Sequence, residues 1–69
     1  MKMNEQECGS LLRSVRRSMG LTIEEMAELL DVSVTTLGMW ERGKSYPDSS
    51  HRRVIGAVLG LTIPERSYA

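Results

Sequence analysis

The side chains able to do chemistry are few. The 69 residues hold one cysteine, Cys8, and one histidine, His51. No acid, base and nucleophile fall at a spacing that a catalytic group can use, so no catalytic residue is expected and the chain reads as a non-enzyme. His51 stands in a polar turn, Ser-Ser-His-Arg-Arg, where a lone histidine is solvated. No metal site and no cofactor are expected. The chain is richer in donors for anions. Residues 43–48 read Gly-Lys-Ser-Tyr-Pro-Asp, a loop in which Lys44, Ser45 and Tyr46 carry N–H or O–H groups suited to phosphate oxygens. Arg42 lies on the same line. Arg52 and Arg53 follow, available for phosphate or for capping the carbonyls of the loop.

Charge alone does not decide between those uses. Nine lysines and arginines balance nine aspartates and glutamates, for a formal net charge of zero. The distribution is uneven. Glu24, Glu25, Glu28 and Asp31 gather in one stretch, and Arg13, Arg16, Arg17, Arg42, Lys44, Arg52 and Arg53 lie elsewhere. Such a dipolar surface can present a basic face to phosphate, and a solvated mixed-charge surface has the same composition. For Arg13 and Arg17 the solvated face is the favoured reading.

The elements that must position these groups follow from periodicity and caps. Residues 1–69 make one domain with a small core. A single cysteine allows no internal disulfide, and Cys8 reads as a small core residue. The chain carries neither a membrane-length apolar run nor a signal pattern, and a cytoplasmic setting is expected. Residues 1–4 are expected to fray. Over residues 5–19, Cys8, Leu12, Val15 and Met19 recur at i, i+4, i+7 and i+11, a helical stripe. Gly9 lies inside it at a cost of about 1 kcal/mol against alanine, which predicts a ragged first turn. Gly20 ends the helix.

Residues 22–43 are the centre of the chain. Thr22 and Glu25 form a capping box, and Met26, Ala27 and Leu30 share a face. Asp31-Val32 is a turn, Ser33 caps again, and Leu37 and Trp40 face one way. Gly43 closes the second helix. Two short helices on a tight turn are the helix-turn-helix layout, and Ala27 is small where the two must cross closely. Asp48, Ser49 or Ser50 then caps a helix running to about Leu59, with Val54, Ile55, Val58 and Leu59 inward. After Gly60, Thr62, Pro64 and Glu65 repeat the start signal and predict a short fifth helix. The expected fold is all-α: a compact bundle of four to five short helices with no sheet.

Residues 22–47 resemble the phage repressor and Cro type (XRE) helix-turn-helix family. The resemblance rests on Glu25-Met26-Ala27, Leu30, Val32-Ser33, Leu37, Trp40-Glu41-Arg42-Gly43-Lys44 and Pro47, and extends back to Leu12 and Arg16 and forward to Leu59-Gly60. It implies a lambda repressor-like fold, double-stranded DNA as partner, a homodimer, and a repressor or autoregulator on a short palindromic operator. No membrane and no small-molecule effector are implied. The helix at 33–42 becomes the recognition helix, with Val34, Thr35, Gly38 and Met39 facing bases. Arg42, Lys44, Ser45, Tyr46, Arg52 and Arg53 become phosphate contacts. Arg16 pairs with Glu41 as a structural ion pair.

The chain departs from the family in several places. Asp31 stands where the turn usually has glycine, and Ile23 where a glutamine touches phosphate. The base-facing set has one hydroxyl and two apolar side chains, so hydrogen-bonded readout is thin. Gly38 is either a neutral surface position or room for the helix to sit deep. Leu61, Ile63 and Tyr68 either form a dimer patch or cover the bottom of the core. The apolar recognition face keeps a second reading open, a protein-binding module of antirepressor or antitoxin type on the same scaffold.

Overall fold

Each helix begins where a side chain satisfies a backbone N–H that the helix itself cannot. The computed structural model describes residues 2–67. Among these are four helices and no strand: α1 (Glu5–Ser18), α2 (Ile23–Leu30), α3 (Val34–Glu41) and α4 (Ser49–Leu59). Thr22 Oγ1 accepts from the Glu25 N–H at 3.1 Å, and the Thr22 N–H donates to Glu25 Oε1 at 2.8 Å. Ser33 caps α3 through the Thr36 N–H. Asp48 caps α4 through the His51 N–H. The fold is all-α.

Of residues 1–4, expected to fray, Met1 lies outside the described residues and Asn4 is the N-cap of α1. Asn4 Oδ1 accepts from the Glu7 N–H at 2.8 Å, and Glu7 Oε1 accepts from the Asn4 N–H at 2.9 Å. This reciprocal box organises the first turn of α1, which is regular and not ragged. Gly9 has a tertiary purpose. A Cβ there would collide with the Trp40 carbonyl oxygen and stand 2.8 Å from that of Glu41. The glycine lets the backbone of α1 lie directly against the end of α3.

Between α2 and α3, Asp31 is left-handed, with φ 57° and ψ 45°. It is the one non-glycine residue with positive φ among those described. Aspartate tolerates this region better than most side chains. The Val32 N–H then donates to the Ala27 carbonyl at 2.9 Å, and the turn closes.

The core comprises Cys8, Leu12, Met26, Ala27, Leu30, Leu37, Trp40, Ile55 and Ile63. Burial pushes the Cys8 thiol up to about 11, which keeps it an inert packing group. The expected inward faces need correction at three places. Met19, Val54 and Val58 are exposed, while Ile55 is buried and Leu59 only partly so. The short α4 turns one narrow stripe to the core, and its other apolar residues face away.

The expected fifth helix is absent among the described residues. Residues 60–67 run without helical structure, although Thr62 and Glu65 have capping-box spacing. Starting a helix fixes several residues for one hydrogen bond. Tertiary contacts take the segment instead. Ile63 enters the core, the Tyr46 hydroxyl donates to the Pro64 carbonyl at 2.6 Å, and an isolated parallel bridge joins Met3 and Arg66. The Ser67 N–H donates to the Met3 carbonyl at 2.8 Å, and Arg66 pairs with Glu5 at 2.5 Å. Met3 and Glu5 are therefore tied to Arg66 and Ser67.

Candidate nucleic-acid interface

The outward face of α3 is held in place by contacts at its buried end. Glu41, the last residue of α3, has a side chain 3% exposed. Arg16 reaches it from α1 in fork geometry, Nε donating to Oε2 at 2.8 Å and Nη2 to Oε1 at 3.0 Å. The third arm of the fork, Nη1, donates to the Leu21 carbonyl at 3.0 Å. The hydrogen bonds to Glu41 raise the pKa of Arg16 further above its ordinary value. The same carboxylate has a second cation. Arg13 Nη2 donates to the Glu41 carbonyl at 3.2 Å, and its Nε lies 3.6 Å from Oε1. The solvated reading of Arg13 is corrected: one turn before Arg16, it reaches the same end of α3.

His51 is corrected in the same way. Its ring meets Trp40 edge-on at a centroid distance of 5.2 Å, and its Nδ1 lies 2.9 Å from Asp48 Oδ1. The residue therefore joins the start of α4 to α3. The His51 N–H and the Ser50 hydroxyl, bonded to the Asp48 carboxylate, lower its pKa.

The side chains expected at bases differ in their availability. Val34 and Thr35 are exposed, and Met39 is half-buried. Gly38 is buried, because the Arg42 guanidinium lies over it: a Cβ there would stand 2.9 Å from Arg42 Nη1. Ile23, in the glutamine's place, packs against the core.

The anion donors also divide. Lys44 and Arg53 are exposed, and Ser45 is half-buried. Two others are engaged within the chain. Tyr46 holds the Pro64 carbonyl, and burial, as the largest influence, raises its pKa, so the hydroxyl keeps its proton. Arg52 Nη1 donates to the Pro47 carbonyl at 3.0 Å, which is the loop-capping role open to it from the start. Of the suggested dimer patch, Ile63 is a core residue, Leu61 is partly buried against the core, and Tyr68 lies outside the described residues. The long-range partners of Arg13, His51 and Tyr46 had no signal in local spacing.

Among the described residues, no three His, Cys, Asp or Glu side chains gather as a metal site requires. No helix among them is long and apolar enough to cross a membrane.

A capped helix, a left-handed turn and a second capped helix clasped from behind define a helix-turn-helix domain. The comparisons give the family: a family model described as "Helix-turn-helix" matches residues 12–65. The chain belongs to the XRE-type helix-turn-helix family. It is 37% identical over 65 residues to the HTH-type transcriptional activator BcrR of Enterococcus faecalis, an alignment covering 94% of this chain and 29% of that protein. The chain thus spans less than a third of the length of this relative.

Proposed function

We propose that this chain binds double-stranded DNA by laying α3 in the major groove, as the DNA-reading part of a transcription regulator. The observation that carries the reading is the disposition of α3. Its buried end is clamped by Arg16 and Arg13, and its other face presents Val34, Thr35 and Arg42 exposed and Met39 half-buried. Rigid presentation of a helix face is what groove docking requires. Lys44, Ser45 and Arg53 hold the phosphates beside it. Tyr46 and Arg52 support the loop that carries Lys44 and contribute to phosphate binding indirectly.

The finer reading is a homodimer on a short palindromic operator, acting as a repressor or autoregulator. The relative's name is that of an activator, so the sign of regulation is the part to measure. A reporter driven by the region upstream of the protein's own gene falls on expression of the protein if it represses and rises if it activates.

Fluorescence anisotropy with labelled duplex, from about 50 to about 200 mM salt, tests the binding itself. Affinity should fall steeply across that range, as each phosphate met by a cation adds about −0.9 to the log–log slope. Absence of binding at the low end would defeat the proposal. It would favour the protein-partner reading, for which the apolar pair Val34 and Met39 and the zero net charge are the supporting features.

A further inference from the structure

Arg42 does not point away from α3 as a phosphate hook would. It is the C-cap of the helix, and its side chain runs back one turn along the outward face. The three heavy atoms nearest to a Cβ built on Gly38 all belong to this guanidinium: Nη1 at 2.9 Å, Cζ at 3.6 Å and Nη2 at 3.7 Å. Nη2 also lies 3.7 Å from Met39 Sδ. Gly38 has no positive φ and sits within a regular helix, where alanine would be preferred. What the glycine supplies is therefore room, and the group that fills it is the head of Arg42.

We infer that Arg42 is a base-reading residue, seated by Gly38 and Met39 so that its fork faces a guanine in the major groove. The inference rests on the DNA-binding function proposed above. Thr35, Gly38 and Arg42 stand at i, i+3 and i+7, on one face of the helix. The folded-back side chain places its charge level with Gly38, inside the row that faces the groove. A guanidinium donates two parallel hydrogen bonds to O6 and N7 of guanine, the commonest specific contact in that groove. The thioether is a weak acceptor, so the fork gives up little in turning to a base. The thin hydrogen-bonding capacity of Val34, Thr35 and Met39 is thereby supplemented from the far end of the helix.

The test is selection from a duplex library with a randomised core, followed by anisotropy on the selected duplex and on versions with one base pair changed. The unmodified protein should favour guanine at one position of each half-site. Arg42→Lys keeps the charge and loses the fork, and should reduce that preference by about tenfold to a hundredfold. Gly38→Ala keeps the arginine but crowds its seat, and should reduce the same preference. Alanine strengthens the helix, so the loss will not be one of folding, and circular dichroism verifies this. Lys44→Ala should weaken every duplex and keep the guanine preference.

Three results would overturn the inference. They are a guanine preference retained by Arg42→Lys, weakening of all duplexes alike by that change, and an undiminished preference in Gly38→Ala. Failure of the unmodified protein to bind any duplex is a different result, which removes the DNA-binding function itself.

Discussion

Removing the clasp between α1 and α3 should be the most damaging polar change available to this domain. Glu41 has a side chain 3% exposed and Arg16 one 16% exposed, and two hydrogen bonds of 2.8 and 3.0 Å join them. Arg16→Ala strands the more deeply buried partner. Breaking such a pair from one side costs about 3 to 5 kcal/mol. The lower end, about 3 kcal/mol, is expected here because Arg13, 3.6 Å from the carboxylate, is left to compensate. Glu41→Ala should cost less, about 2 kcal/mol, because the arginine it strands retains the Leu21 carbonyl and reaches water.

A chain of 69 residues has a total stability of roughly 3 to 10 kcal/mol, so either change removes a large share. A loss of about 3 kcal/mol corresponds to a fall in Tm of roughly 12 to 24 °C for a domain of this size. Thermal and urea denaturation of the two single variants and the double variant give the coupling directly. The double should be less damaged than the sum, by about 1 kcal/mol or more. Small additive losses, under about 0.5 kcal/mol each, would refute the reasoning and make the pair an ordinary surface contact.

Gly9→Ala should destabilise by about 1 to 3 kcal/mol despite alanine's better helix propensity, because its Cβ meets the backbone carbonyls of Trp40 and Glu41, which cannot swing aside. A rise in the urea midpoint would show that α1 and α3 are less closely packed. Tyr46→Phe should lower stability by about 1 kcal/mol through loss of the bond to Pro64, with the salt slope of DNA binding unchanged. Lys44→Ala should flatten that slope by about 1 with little effect on stability, and equal slopes in the two variants would contradict this division of roles. Acid should loosen the helix ends. The carboxylates of Glu5, Glu25 and Asp48 have lowered pKa values, the first through Arg66 and the others through capping bonds. Their contribution is full above the unfolded carboxylate range and is lost as pH falls through the lowered folded values. Helical circular dichroism followed down in pH should hold through the neutral range and decline only in acid. Loss already near neutrality would point to another group.

The sequence alone was sufficient for the parts of the molecule governed by neighbours a few residues apart. The Thr22–Glu25 box, the Ser33 cap, the turn at Asp31 and a start of α4 within residues 48–50 all depend on contacts within five residues, and helical periodicity with cap chemistry reads them off. The family resemblance extended this to the layout of the whole domain. Contacts between distant residues lay beyond that reach. Gly9 reads as a flaw in α1 until Trp40 and Glu41 are seen against it. Tyr46 reads as an anion donor until the Pro64 carbonyl, eighteen residues on, accepts its hydrogen bond. Thr62 and Glu65 carry a valid start signal for a helix, but the segment forms better bonds with the core, with Tyr46 and with Met3. A local signal gives only one side of such a competition, because the opposing contacts come into existence when the chain has folded.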